Sequence, residues 1–161
     1  MEVEMKIKGL MIDPITNMPI IILRDPRGDA VLPIWVGIFE ANAIALEIEK
    51  IETPRPMTHD LLRDVVVSLG ARIERISVTE LKENTFFALI HLTLNGRTFQ
   101  VDSRPSDAIA LALRAQAPIF VETAVIEAAK NIDPTEDVRD TERLRKWLDT
   151  LDETELGKQI H

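Results

Sequence analysis

Two short segments of this 161-residue chain place arginine, a hydroxyl and aspartate at the start of stretches with helical character. One is RPMTHD, residues 55–60, and the other is DSRPSD, residues 102–107. Proline suits the first turn of a helix, a hydroxyl can cap it, and an acid there complements the helix dipole. Capping does not explain the arginines, because a cation at a helix N-terminus is unfavourable unless it pairs with an acid or awaits an anion.

The same residue types fit the hydrolysis of a phosphodiester bond. Arginine can bind phosphate bidentately, histidine can act as general base or acid, and aspartates supply the oxygen ligands that Mg²⁺ and Mn²⁺ prefer. We predict catalytic roles for His59, Asp60, Asp102 and Asp107, phosphate binding by Arg55, Arg104, Thr58, Ser103 and Ser106, and Mg²⁺ or Mn²⁺ binding by Asp60, Asp102 and Asp107.

Each of these roles has a structural alternative that the sequence leaves open. His59 can be a surface residue of a first helical turn, and Asp102 can pair with Arg104 or cap a turn. His91 lies in an apolar strand and is expected to be a hydrogen-bonded sheet histidine. Aromatic residues make up only 4% of the chain, so base stacking depends on few candidates, namely Trp35, Phe39 and Phe99.

Composition limits the class of protein. The net charge of −8 disfavours nonspecific adhesion to nucleic acid through a broad basic surface. The chain has no cysteine, which excludes thiolate chemistry. The acidic start, MEVEM, and the lack of a long apolar run predict neither a signal peptide nor a membrane segment, so a cytoplasmic protein is expected.

Periodicity predicts a single α+β domain over residues 1–132 with mixed sheets. Strands are expected at 3–12, 19–23, 30–36, 72–81, 85–94, 97–101 and 118–121, and helices at 40–51, 58–69, 105–116 and 123–130. Each half contains three strands followed by two helices, and AIAL occurs in both, at 43–46 and 108–111, so we predict an ancient duplication. The charged segment 133–161 is predicted to form a C-terminal helix and tail.

Two helices carry further expectations. Thr58 is predicted as the N-cap of the second helix, whose residues Leu61, Leu62, Val65, Val66 and Leu69 form a stripe expected to be buried. The third helix contains AIALAL, which is apolar on every side and must be enclosed by other elements or by a partner subunit. We therefore expect a homo-oligomer, with a dimer favoured.

Longer motifs indicate a family. The segments LPIWVGIFEANAIALEI (32–48), RPMTHDLLRDVVVSLGARIERISVTELKENTFFALIHL (55–92) and VDSRPSDAIALALRAQAPIFV (101–121) occur in this order. Together they resemble the bifunctional nuclease domain family over roughly residues 3–132. Asn84 stands where many members have glycine, which is a mild departure because asparagine also tolerates left-handed turns.

The resemblance implies an α+β domain and a nuclease acting on RNA and DNA, an activity attributed to plant members and extended to bacterial ones by similarity. It adds Glu40 to the polar signature already described. Two alternatives remain: a binding or regulatory domain that recognises an anion without cleavage, and a structural domain in which the motifs are caps and helix 105–116 builds the oligomer.

Overall fold

A computed structural model describes residues 1–130, which form one open, mixed sheet of seven strands with four helices. This confirms the predicted α+β class. The strands are β1 (Glu2–Ile12), β2 (Pro19–Arg24), β3 (Val31–Trp35), β4 (Arg72–Lys82), β5 (Thr85–Leu94), β6 (Arg97–Ser103) and β7 (Ile119–Glu122), and the helices are α1 (Ile38–Ile48), α2 (Thr58–Ser68), α3 (Pro105–Ala115) and α4 (Thr123–Ala129). The predicted charged helix and tail of 133–161, and the boundary at 132, lie outside the described residues.

The strand order is β3-β2-β1-β7-β4-β5-β6. Each half contributes an antiparallel meander, and β7 joins the two meanders by pairing antiparallel with β1 and parallel with β4. The predicted three strands and two helices describe the first half, whereas in the second half β7 separates the helices. The duplication itself stays a prediction.

Tight turns fix the register of the second meander. Asn95 and Gly96, between β5 and β6, both have positive φ, as a two-residue hairpin with a type I′ turn requires. Glu83 and Asn84 adopt positive φ between β4 and β5, so Asn84 occupies a left-handed turn position as expected.

Helix α3 forms the centre of the core. Its residues Ala108 to Ala112 are at most 1% exposed, and the helix packs on α1, α2, β4 and β5. The AIALAL segment is therefore enclosed within one chain, and the idea that this helix builds an oligomer is wrong for this structure. Small alanines let the neighbouring helices approach closely, while Ile109 and Leu111 fill the space over the sheet.

Helix α2 departs from the prediction. Leu61, Val65 and Leu69 are exposed, Leu69 to 73%, and His59 is the one residue of this helix that is buried. Of the predicted stripe, Val66 packs against the core, because α2 contacts the rest of the fold through the side of the helix that carries His59 and Val66. The prediction is wrong for the exposed members of the stripe. No helix within residues 1–130 is long and apolar enough to cross a membrane.

Candidate functional site

The starts of α2 and α3 meet at a cleft of about 770 Å³. Six of the predicted site residues line this cleft: Thr58, His59, Asp102, Ser103, Arg104 and Asp107. Glu40, the residue that the family resemblance added, lines it as well. The cleft also has an apolar wall formed by Leu46, Leu62, Ile90 and Val101. The fold thus brings most of the two motifs to one place, although about 45 residues separate them in sequence.

A histidine–aspartate pair lies at the centre of this cleft. His59 Nε2 is 2.8 Å from Asp107 Oδ1, and His59 is only 9% exposed. A carboxylate only accepts hydrogen bonds, so Nε2–H donates, and in the neutral form of the imidazole the lone pair lies on Nδ1. Nδ1 has no hydrogen-bond partner among residues 1–130. The alternative in which His59 is a surface residue is therefore wrong.

Arg104 is held by two carboxylates. Its Nε donates to Asp107 Oδ2 at 2.9 Å, and its Nη2 lies 2.6 Å from Glu40 Oε1. The hydrogen bonds to Asp107 and Glu40 raise the pKa of Arg104 above its ordinary value. Pairing with acids thus explains a cation at a helix start, and Nη1 is left without a partner in the described part of the chain.

Capping explains less of the two motifs than the sequence indicates. Met57, not Thr58, occupies the N-cap position of α2, and Arg104 occupies that of α3, with no side-chain cap hydrogen bond at α3. Ser106 is buried in the first turn of α3, and Pro105 stands at the first helical position as predicted. The predicted Thr58 cap is wrong because the chain enters α2 one residue earlier.

Asp60 and Arg55 face a different depression, of about 400 Å³, on the other side of the α2 start. Asp60 Oδ1 accepts a hydrogen bond from Arg114 Nε at 2.7 Å, and Asp60 Oδ2 accepts one from the Met57 N–H at 2.9 Å. Burial alone would raise the pKa of Asp60, but these hydrogen bonds outweigh it and hold the pKa below its ordinary value. The two motif arginines therefore line separate depressions.

The aspartates predicted as metal ligands do not converge. Asp60 is bound to Arg114, Asp107 is shared by His59 and Arg104, and Asp102 forms no side-chain hydrogen bond or ion pair within residues 1–130. Among the described residues, no group of three or more acids and histidines is arranged to hold a metal ion. This donor set does not fit a preformed Mg²⁺ or Mn²⁺ site.

The second histidine within residues 1–130 and the aromatic residues have separate roles. His91 Nε2 lies 2.8 Å from the buried Ser77 Oγ, which confirms the predicted hydrogen-bonded sheet histidine, and burial followed by nearby Arg75 lowers its pKa. Trp35 Nε1 donates to Asp13 Oδ2 at 2.7 Å, and neither residue lines the cleft. Phe39, 88% exposed, lines the cleft.

Sequence reasoning missed two features of the site. Arg114 looked like the polar end of an apolar helix, yet its side chain is 1% exposed and reaches Asp60. Gly37 precedes α1, and a Cβ there would lie 2.5 Å from Glu40 Oε2. One signal was available for Arg114, because it follows six apolar residues of an enclosed helix, and a buried charge requires a buried partner.

Comparison with known proteins decides the family. The bifunctional nuclease domain matches residues 21–133, more than half of the chain. This chain belongs to the bifunctional nuclease domain family. An uncharacterized protein of Mycobacterium tuberculosis is 39% identical over 157 residues, which cover 92% of this chain and 94% of that protein.

More distant relatives in this family carry the nuclease name. Bifunctional nuclease 1 of Oryza sativa subsp. indica is 24% identical over 128 residues, or 76% of this chain and 39% of that protein. Bifunctional nuclease 1 of Arabidopsis thaliana is 28% identical over 107 residues, or 64% of this chain and 33% of that protein. The matched region is thus a minor part of each plant protein.

Proposed function

We propose that this domain of the bifunctional nuclease family hydrolyses phosphodiester bonds in RNA and DNA at the cleft between α2 and α3. The observation that supports this most directly is the 2.8 Å contact between His59 and Asp107 inside that cleft. A buried imidazole oriented by a carboxylate, with its second nitrogen unpaired, is suited to proton transfer.

In the proposed reaction, His59 Nδ1 accepts a proton from a water molecule as that water attacks phosphorus. Asp107 stabilises the imidazolium that forms, because the charge lies directly beside the carboxylate. The ester bond to the leaving oxygen then breaks, and the imidazolium returns the proton to that oxygen. The net change is one water added across one P–O bond.

Arg104 is the proposed phosphate ligand. Asp107 and Glu40 fix its guanidinium plane, and its Nη1 N–H groups can contact a phosphoryl oxygen in the cleft. The first backbone N–H groups of α3 add positive potential at the same place. Ser103 and Thr58 line the cleft and offer hydroxyls, whereas Arg55 and the buried Ser106 do not line it.

Substrate binding is proposed to use Phe39 as well. Its ring is exposed at the cleft that contains His59, and bases stack on exposed aromatic rings with little sequence preference. Such a contact suits an enzyme that accepts both RNA and DNA, because every base has a π-face.

The test is a cleavage assay with purified full-length protein, single-stranded RNA and DNA oligonucleotides, and either EDTA, Mg²⁺ or Mn²⁺. We expect cleavage by the wild type, a loss of about 100-fold or more in kcat for His59→Gln, and no change for the matched control His91→Gln. Cleavage that EDTA abolishes and Mg²⁺ or Mn²⁺ restores would establish metal assistance. Absence of cleavage under all three conditions, or a wild-type rate for His59→Gln, would overturn the proposal.

A non-catalytic anion-binding or regulatory role is the second candidate. The charge of the cleft favours it: Glu40, Asp102 and Asp107 outnumber Arg104, which weakens the attraction of a long polyanion. Binding of a small phosphorylated ligand, such as a mononucleotide, by a protein that cleaves neither RNA nor DNA would support this candidate.

We also propose that the protein is a homo-oligomer, with a dimer favoured, and that it acts in the cytoplasm. The surface for this contact is formed by the exposed apolar side chains of Leu61 and Val65 on α2 and of Leu69 directly after it, because α3 is enclosed within one chain. Light scattering coupled to size exclusion tests the oligomeric state.

A further inference from the structure

Arg114 is a charged residue in the centre of the protein. It lies in the last turn of α3, and 1% of its side chain is exposed. A guanidinium in such a place is stable only if its donors are satisfied. Its Nε donates to Asp60 Oδ1 at 2.7 Å, Nη1 to the Ala110 carbonyl at 3.0 Å and Nη2 to the Ala43 carbonyl at 3.0 Å. One side chain thus joins α1, α2 and α3.

The contact continues into the first turn of α2. Asp60 Oδ2 accepts the Met57 N–H at 2.9 Å, which closes that turn around His59. His59 and Asp60 are consecutive residues, so their side chains leave the helix in different directions, about 100° apart. Each contacts α3: His59 meets Asp107 in its first turn, and Asp60 meets Arg114 in its last.

Two anchors of this kind fix both the position and the rotation of α2. Arg63 Nη1 adds a weaker third contact by donating to the Arg114 carbonyl at 3.3 Å. Without the Asp60 anchor, α2 would be held by this longer bond and by the His59–Asp107 pair, and a small rotation would carry the imidazole away from Asp107. Apolar packing supplies little restraint, because His59 is the one buried residue of α2 and most of its apolar side chains are exposed. The polar anchors therefore determine where His59 lies.

We infer that Arg114 is a positioning residue, which acts through Asp60 to hold the His59 imidazole against Asp107. This inference rests on the proposed function for its kinetic readout, but not for its spectroscopic one. It also assigns Asp60 a role different from that of catalytic acid or metal ligand.

The test uses Arg114→Lys in the full-length protein. Lysine keeps the charge but loses the planar fork that reaches three acceptors. We expect a folded variant whose kcat for oligonucleotide cleavage falls about 10- to 100-fold while KM changes by about twofold or less. The matched control is Arg72→Lys, since Arg72 forms an exposed ion pair with Glu74 on β4.

The second readout is the long-range ¹H–¹⁵N spectrum of the imidazoles, with the His59 signals assigned by their loss in His59→Gln. The wild type should show His59 in the Nε2–H form, and Arg114→Lys should show a mixture of tautomers. Asp60→Asn, which retains an oxygen acceptor without the charge, should change the spectrum in the same direction and serves if Arg114→Lys does not fold.

A folded variant of either kind with the wild-type imidazole spectrum and wild-type kcat would overturn the inference. A wild-type protein that cleaves no nucleic acid would refute the proposed function instead. The tautomer of His59 would then still decide whether Arg114 positions it.

Discussion

Arg104 Nη2 and Glu40 Oε1 lie 2.6 Å apart although 64 positions separate these residues in sequence. The Arg104 side chain is 65% exposed, whereas the Glu40 side chain is only 15% exposed. The more buried carboxylate therefore holds the exposed guanidinium in one orientation. Glu40 thus orients the guanidinium and also neutralises part of its charge. These two effects act in opposite directions on phosphate binding.

Glu40→Gln should strengthen nucleic-acid binding. The change removes one negative charge from the cleft and leaves Arg104 more positive, so we expect the Kd for a short oligonucleotide to fall about threefold at low salt, with a smaller gain at high salt. Fluorescence anisotropy measures this, with Glu47→Gln, which lines the other depression, as the control. Weaker binding would show that orientation of Arg104 matters more than its charge.

His59 and Asp107 should behave as one catalytic unit. Asp107→Asn keeps the size and shape of the side chain but removes the charge that stabilises the imidazolium. We therefore expect kcat to fall at least about 100-fold, as for His59→Gln. The double variant should be no slower than the worse single variant, since groups that act together are not additive. Single-turnover cleavage rates of the two single variants and the double variant provide the comparison. If the rate loss of the double variant equals the product of the two single losses, the two residues do not act in the same step.

Phe39→Ala should affect binding of nucleic acid more than the chemistry. Loss of one stacking contact of about 1–3 kcal/mol predicts a rise in KM of roughly 5- to 150-fold for an oligonucleotide. A phosphodiester without a base, such as methyl p-nitrophenyl phosphate, should be hydrolysed at the wild-type rate. Phe39→Trp should retain the wild-type KM, and an equal loss on both substrates would indicate a structural role.

Asp60→Asn should destabilise the fold at neutral pH by roughly 3 kcal/mol, because the buried Arg114 loses its ionic partner. The folded-state pKa of Asp60 is lowered, so the ionised group stabilises the wild type above the unfolded pKa of about 3.9. That contribution disappears as the pH falls through the folded pKa.

Urea denaturation followed by tryptophan fluorescence should therefore show a flatter dependence of the unfolding free energy on pH, below about pH 4, in Asp60→Asn. Asp64→Asn is the matched control, since Asp64 pairs only with its neighbour Arg63 within residues 1–130. An equal loss of unfolding free energy in both variants would mean that the Asp60–Arg114 pair stabilises the fold no more than the surface pair does.

Val65→Asp and Leu69→Asp should dissociate the proposed dimer. A charge on each partially exposed apolar side chain opposes its burial against a second copy. Light scattering at micromolar concentration should give twice the 18.2 kDa chain mass for the wild type and the chain mass for the variants. The control is Glu80→Lys, which changes a charge on β4 and should leave the mass unchanged. A wild type with the mass of one chain would exclude the dimer.

Sequence periodicity was sufficient to predict where the strands and helices lie, but not which of their side chains are buried. The strands and helices of residues 1–130 lie within a few residues of their predicted positions, since alternation, turn residues and proline are local signals. Exposure of Leu61 and Leu69 could not be predicted, because an apolar stripe has the same pattern whether it meets the core or another surface.

The site was predictable in its residue types but not in its pairing. His59 and Asp107 lie in the first turns of two helices, and only the packing of α2 against α3 brings them into contact. Arg55 and Arg104 follow the same sequence pattern and still line separate depressions, because Arg55 precedes α2 by three positions and Arg104 directly precedes α3.

The position of β7 determines the order in which this molecule can be completed during synthesis. Glu2–Met5 of β1 pair with Ile119–Glu122 of β7, and the Thr123 N–H donates to the Met1 carbonyl at 2.9 Å. The first meander and α2 can emerge from the ribosome long before Asp107 is translated. A nascent chain therefore carries His59 without its partner until α3 has been synthesised, and the seven-stranded sheet is complete only after β7 follows.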